Sequence, residues 1–356
     1  MTHRIAIVGD LFMRAAMFED ALRRTLDVEL AIRAMELPWP DQPMRHGYAD
    51  EVGGDLAGLR EFMGDPDAIA SFVADAEILV NHLAPVTAGM LERLPALRLI
   101  AVSRGGPVNI DMAAARARGI EVVNTPGRNA SAVAEFTIGA ILAETRLIRA
   151  GHEALRLGVW RGDLYRADMT GEELSAMTVG IIGYGHIGTR VVRLLKPFGC
   201  RILVDDPYVE LSAEDRADGV VQVDLDRLLA ESDVVSLHAR VTEETRGFID
   251  ADAFRRMRQG AYFINTARGP MVDYGALHDA LASGHLRGAM LETFWQEPVP
   301  QGAPLLRLPN VTLTPHIAGA SLNTVRVAAS MVAEEVRRHL AGEPALHPCC
   351  TRDEEP

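Results

Sequence analysis

Residues 178–208 read TVGIIGYGHIGTRVVRLLKPFGCRILVDDPY, and their order decides the fold. Thr178–Ile182 is apolar and β-branched, the pattern of a buried strand. Gly183, Gly185 and Gly188 follow as G-x-G-x-x-G. A helical pattern then runs to Gly199, and a second apolar run ends in Asp205 and Asp206. Each glycine meets a separate demand: a tight turn, room for a pyrophosphate against the backbone, and close packing of helix on strand. The free N–H groups and the dipole at the helix start attract phosphate. Asp206, 18 residues beyond Gly188, can accept hydrogen bonds from the adenine ribose hydroxyls and would repel a 2′-phosphate. The stretch predicts a dinucleotide-binding unit that takes NAD in preference to NADP. Asp205 competes for the ribose, since a sequence pattern fixes a strand end only to within a residue or two.

The same alternation extends outward in both directions. Arg4–Gly9, Ala76–His82, Leu97–Ser103 and Ile120–Asn124 precede the glycine motif as β-rich runs. Asp233–Ala239, Ala261–Ala267, Gly288–Phe294 and Val311–His316 follow it. Strands alternating with helical patterns predict parallel sheets covered by helices. One long helical pattern spans residues 130–157 and another spans residues 323–340. Two α/β domains joined near residue 145 fit this order.

Composition narrows the class. A chain of 356 residues, 48% of them hydrophobic, can bury two cores. A net charge of −13 argues against nucleic acid as a partner, which calls for clustered Lys and Arg. Three cysteines, Cys200, Cys349 and Cys350, make neither a disulfide framework nor a zinc pattern. The N-terminal apolar run is too short for a signal peptide, and no run reaches membrane-spanning length. The expectation is a cytoplasmic protein with no metal site and no membrane partner.

Several segments match a known family in its order: NTPGRNASAVAEFTIGAIL (Asn124–Leu142), GIIGYGHIGTRV, VVSLHARVTEET, INTARGPMVD (Ile264–Asp273) and LTPHIAG (Leu313–Gly319). They resemble the D-isomer-specific 2-hydroxyacid dehydrogenases, which include 3-phosphoglycerate dehydrogenase and hydroxypyruvate reductases. The resemblance implies a Rossmann-type NAD-binding domain, residues 146–321, inserted into a smaller flavodoxin-like α/β substrate (lid) domain made of residues 1–145 and 322–356. It also implies a homodimer formed through the cofactor domains. With the chain ending soon after the last helix, no serine-sensing regulatory domain is expected.

The resemblance assigns catalysis to Arg268, Glu297 and His316. The chemistry suits these residue types. A 2-hydroxy acid loses a hydride from C2 and a proton from its hydroxyl, and an imidazole can exchange that proton near neutrality. Glu297 would hold the other ring nitrogen and favour imidazolium. Arg268 would grip the planar carboxylate and polarise the carbonyl. Cofactor contacts carry over to Gly183, Gly185, His186, Ile187, Gly188, Asp206, His238, Thr266, Ala267, Arg268, Glu292, His316 and Gly319. Glu292 stands where many members have an Asp that contacts the nicotinamide amide. The substrate loop is SRGGPVNID (Ser103–Asp111), in which backbone N–H groups of Gly105 and Gly106 would hold the carboxylate. Arg104, unusual for the family, is expected to reach the far end of the substrate. The resulting function is NAD-dependent interconversion of a D-2-hydroxy acid and its 2-keto acid. The alternative from another class is a dinucleotide-sensing, corepressor-like binding protein with little turnover.

Overall fold

In the computed structural model, which describes residues 2–39 and 53–349, the apolar runs assemble into two separate sheets whose strands are all parallel to their neighbours. The chain divides into two compact units, residues 1–129 with 320–356, and residues 130–319.

The first unit holds β1 (His3–Asp10), β2 (Leu30–Leu37), β3 (Ile78–Asn81), β4 (Leu99–Val102) and β5 (Glu121–Val123), in the spatial order β2-β1-β3-β4-β5. This is the flavodoxin-like order. Alternation along β1 separates two cores. Ile5 and Ile7 face the helix Leu322–Ala341, meeting its Val325, Ala328, Ala329, Val332 and Val336. Ala6 and Val8 point the other way, toward Ile69 and Val73 of the helix Pro66–Val73. Ser321 starts the long helix by accepting from Thr324 N at 3.0 Å, and Gly342, at φ 67°, ends it in the left-handed region that glycine adopts freely. Buried Glu335 then accepts from Leu346 N and His347 N at 3.1 and 2.8 Å, and Pro348 bridges antiparallel onto Val123. The return of the chain's last helix to the N-terminal sheet makes this unit discontinuous.

The second unit holds β6 (Thr178–Ile182), β7 (Arg201–Asp205), β8 (Val221–Gln222), β9 (Val234–Leu237), β10 (Ala261–Asn265), β11 (Leu286–Leu291) and β12 (Val311–Leu313). Their order, β12-β11-β10-β9-β6-β7-β8, is the doubly wound arrangement with its switch point between β6 and β9. Strands β6 and β9 to β11 are buried almost throughout, as expected of a sheet covered on both faces.

Three features depart from the sequence reading. The domain boundary falls near residue 129 rather than 145, because the helix Ala130–Thr145 packs Ala134, Ala140 and Ile141 against Val191, Val192, Tyr262 and Met290 of the second unit. The helical pattern over 130–157 is interrupted at Leu147, whose φ of 56° ends one helix before Ile148–Arg156 begins. Strand β2 was not anticipated. It lies at the sheet edge and is mostly half-buried or exposed, so its apolar signal is diluted by Arg33 and Glu36. Cys200 is a free thiol; Cys350 lies outside the described residues. Among the described residues, no helix is long and apolar enough to cross a membrane.

Candidate active site

The glycine loop leaves the carboxyl end of β6 at the switch point, where doubly wound sheets bind their ligands. Gly183 has φ 94°, and a Cβ there would lie 2.6 Å from Ala239 N. A Cβ on Gly188 would lie 2.0 Å from Gly183 O, so the helix Gly188–Leu195 can approach the strand only without a side chain. Gly185 has nothing within 4 Å of its Cβ position. Two glycines therefore shape the turn, and the third keeps open space beside the helix start. His186 is exposed and Ile187 half-buried on the same turn.

Of the two acids ending the next strand, Asp206 reaches the loop: its Oδ2 accepts from Tyr184 N at 2.7 Å, and its Oδ1 from Tyr208 N at 2.9 Å. Asp205 is pushed up to about 6 by burial, with the charges of Asp206 and Asp224 adding to the effect. An acid poised to lose its charge is the poorer ribose acceptor, so the geometry favours Asp206. At the end of β9, His238 is buried and neutral, with its pKa pushed down to about 3 by burial. Its Nε2 meets Ser236 Oγ at 2.9 Å, whereas its Nδ1 is enclosed without a hydrogen-bond partner. The open glycine cradle, an acid bonded to it and an orphaned polar nitrogen beside it fit a dinucleotide.

The three side chains that the sequence reading assigns to catalysis follow three neighbouring strands of the same sheet. Arg268 lies just past β10, Glu297 beyond β11 and His316 beyond β12. His316 Nδ1 and Glu297 Oε2 are 2.7 Å apart, and Glu297 Oε1 accepts from Phe294 N at 2.9 Å. Glu297 is buried and His316 half-buried. The carboxylate thus orients the ring through Nδ1, which makes Nε2 the nitrogen for proton exchange. Arg268 is exposed at its side chain, and its Nη1 donates to Ala267 O at 2.8 Å. Asn265 builds its turn: Oδ1 accepts from Ala267 N at 3.0 Å and Nδ2 donates to Arg268 O at 3.3 Å. Thr266 is buried against Thr137, Oγ1 to Oγ1 at 2.9 Å.

Glu292 is tied into the turn that follows β12. Its carboxylate accepts from Thr314 Oγ1 and from Ala318 N, the latter at 2.5 Å, while its backbone carbonyl accepts from His316 N at 3.1 Å. His316 sits at φ 54°, a left-handed conformation that costs a non-glycine residue about 1–3 kcal/mol. Glu292 grips the residues on both sides of that strained position, three hydrogen bonds in all, and its extra methylene over Asp supplies the reach. Burial raises its pKa, opposed by these same hydrogen bonds. Gly319 closes the turn, half-buried.

In the first unit, Gly105 and Gly106 lie on the loop after β4, with nothing within 4 Å of either Cβ position. The loop is stitched to the segment after β5: Thr125 N donates to Arg104 O at 2.8 Å and Asn124 Nδ2 to Gly105 O at 3.0 Å. Arg104 corrects the expectation of an outstretched side chain. Its guanidinium is largely buried, ion-paired with Glu61 and hydrogen-bonded to Glu61 O at 3.2 Å. The cation braces a neighbouring loop, where Glu61 itself has φ 50°. The sequence reading missed three other polar residues of this unit, Asp10, His82 and Arg128. The first two terminate apolar strand runs at the carboxyl edge of the sheet, and that position was the signal available.

Residues 138–318 match the family described as D-isomer specific 2-hydroxyacid dehydrogenase, NAD binding domain. A glyoxylate reductase of Korarchaeum cryptofilum is 39% identical over 296 residues, 83% of this chain and 86% of the relative. A D-3-phosphoglycerate dehydrogenase of Mycobacterium tuberculosis is 37% identical over 82% of this chain but only 54% of the longer relative. Among solved structures, a D-2-hydroxyisocaproate dehydrogenase superposes with a TM-score of 0.79 at 25% identity, over 97% of this chain and 99% of the other. These relatives are reductases and dehydrogenases, and they lend no support to a sensor without turnover. The chain belongs to the D-isomer specific 2-hydroxyacid dehydrogenase family, and it is an NAD-dependent oxidoreductase of D-2-hydroxy acids and their keto acids.

Proposed function

We propose that His316, Glu297 and Arg268 carry the reaction, and that residues 1–129 with 320–356 form the substrate domain. The observation that carries this reading is the 2.7 Å contact between a half-buried imidazole and a buried carboxylate. Gly183, Gly185, His186, Ile187 and Gly188 would hold the pyrophosphate, Asp206 the adenine ribose, and His238, Thr266 and Ala267 the nicotinamide side; bound there, NAD supplies the hydride acceptor. His316 Nε2 takes the hydroxyl proton as the C2 hydride leaves, and returns it when the keto acid is reduced. The imidazolium formed is stabilised by Glu297 on the opposite nitrogen. On the second unit Arg268, at the end of β10, grips the substrate carboxylate; on the first unit the open backbone at Gly105 and Gly106 supports a carboxylate-binding loop. Assaying a panel of 2-keto acids by NADH oxidation tests the reading, and no turnover of any of them would sink it.

Two variants probe the parts. Asp206→Ser is expected to weaken NAD binding and relax discrimination against NADP, because it removes both the ribose acceptor and the charge that repels a 2′-phosphate. Equal kcat/KM for the two cofactors in the unmodified protein would remove Asp206 from selectivity. Glu297→Gln is expected to keep some activity but to lower kcat, because a neutral amide orients and stabilises the ring at Nδ1 less well than the carboxylate does. Unchanged kinetics would mean that Glu297 acts only as a packing group.

A homodimer is also part of this proposal. The helix Ile148–Arg156 buries none of its residues, and Ile148, Leu155, Leu157, Val159, Trp160 and Tyr165 are exposed in and just after it. So much uncovered apolar surface on one segment supports a second copy as its partner. The free thiol Cys200 suits a reducing, cytoplasmic setting.

A further inference from the structure

Arg268 and Glu297 lie beyond the ends of different strands, yet a buried chain of hydrogen bonds joins their loops. It starts at Asn265, the last residue of β10, which is fully buried. Asn265 Oδ1 accepts from Ala267 N at 3.0 Å, and its Nδ2 donates to Arg268 O and to Tyr274 Oη, each at 3.3 Å. Tyr274 Oη donates in turn to Thr293 O at 2.5 Å, on the loop after β11. The next residue, Phe294, gives its N–H to Glu297 Oε1 at 2.9 Å. The strands themselves make one last rung here, Glu292 N to Asn265 O at 3.0 Å. Beyond that rung, the Tyr274 hydroxyl is the link that carries the connection from the Arg268 turn to the Glu297 loop.

The ring of Tyr274 packs as a phenylalanine would. Its centroid lies 4.9 Å from that of Trp295 and 6.3 Å from that of Phe294, and it shares a core with Leu277 and Leu281. What the oxygen adds is the bridge. The backbone that presents the ring is pinned as well: Asp273 caps the helix Tyr274–Ala282, its Oδ1 accepting from Gly275 N and Ala276 N at 2.9 and 3.0 Å, and its N–H donates to Ile249 O at 3.0 Å. Burial raises the pKa of the phenol, with the Glu297 charge adding to the effect, so the hydroxyl keeps the proton it gives to Thr293 O. A buried hydroxyl with both a donor and an acceptor in place is fully used, and removing it leaves a buried carbonyl unpaired.

We propose that Tyr274 is a positioning residue for the reaction, its hydroxyl fixing the spacing between Arg268 and the Glu297–His316 pair. The inference rests on the oxidoreductase reading above. Arg268 must hold the carboxylate and polarise the carbonyl while His316 offers its proton to that same carbonyl oxygen. These groups come from separate loops, and a displacement of about 1 Å in such a group can cost roughly 100-fold in rate. A bridge between the loops holds the spacing without touching the substrate. Since the spacing matters most where the proton and the hydride move, its loss falls on kcat more than on KM.

The test is a double-mutant cycle, run with NADH and whichever of glyoxylate, pyruvate, hydroxypyruvate and oxaloacetate the parent reduces best, alongside thermal unfolding of each variant. Tyr274→Phe should lower kcat by roughly 10-fold, a fraction of what a full displacement costs, with KM changed less and NADH affinity retained in a fluorescence titration. Introduced into Glu297→Gln, the same change should lower kcat by about 3-fold or less, because residues of one network do not act additively. A merely structural tyrosine would cost the same factor in both backgrounds, or would lower Tm and leave kcat untouched; either result overturns the proposal. So does a loss of NADH affinity as large as the loss of kcat. Should the Phe variant unfold, Asn265→Ala cuts the other end of the bridge and enters the same cycle, where an equal loss in both backgrounds again overturns it. A parent that reduces none of the four acids strikes at the oxidoreductase reading and takes the proposal with it, whereas an active parent with an unaffected Phe variant strikes at the bridge alone.

Discussion

His316→Ala is expected to lower kcat by roughly 100-fold or more, the ordinary contribution of a positioned acid–base group, while NADH still binds. The expectation rests on position. Among the described residues near the end of β12, His316 combines a titratable ring with a buried carboxylate at 2.7 Å. The imidazole is also presented from a left-handed backbone that Glu292 restrains on both sides. A rigidly aimed base exchanges its proton without first being reoriented, and alanine loses both the proton and the aim. Steady-state rates with the preferred keto acid, paired with a fluorescence titration of NADH, check the result. A variant of near-normal kcat would force the proton onto another group.

Gly269→Ala should be comparably damaging although it touches no substrate. A Cβ at Gly269 would stand 1.8 Å from Phe294 O and 2.7 Å from Trp295 N, both backbone atoms that no rotamer change can move aside. Two loops must therefore part. One carries Arg268, the adjacent residue; the other carries Phe294, whose N–H holds Glu297 Oε1 at 2.9 Å. Overpacking of this kind costs about 1–3 kcal/mol, and a displacement of about 1 Å in a catalytic group can cost roughly 100-fold in rate. A lower Tm together with a large fall in kcat is the expected outcome. Gly185→Ala is the control, because its Cβ position is empty to 4 Å: Tm should hold while NAD affinity drops. Normal kinetics in Gly269→Ala would show that the two loops can separate without consequence.

Much of this site was legible in the residues because its signals are local. G-x-G-x-x-G demands glycine at positions where neighbouring backbone intrudes, and the structure shows that intrusion at Gly183 and Gly188. Strand-end residues such as Arg268 and His316 lie in motifs short enough to read directly. The misreadings all depend on what lies far along the chain. Arg104 looked free because Glu61, its partner, is remote in sequence. The bonds from Glu292 to Thr314 and Ala318 were hidden for the same reason, since both follow only after the next strand. Asp10 and His82 share no local pattern; the sheet order alone unites them. The boundary near residue 145 was misplaced because a helix pattern reveals an apolar face but not which core receives it.

The discontinuity of the first unit bears on how the protein is made. Its N-terminal sheet is synthesised long before the helix Leu322–Ala341, with the entire second unit emerging in between. Until then Ile5, Ile7, Ile78, Val80 and Leu99 lack the partners Val325, Ala328, Val332 and Val336 that cover them. On the ribosome the glycine-loop unit, continuous in sequence, can close first, while the earlier strands wait with one apolar face covered only by the helix Ala15–Thr25. Contacts that span so much sequence form slowly, and the waiting surface is the natural place for chaperone capture or aggregation during expression.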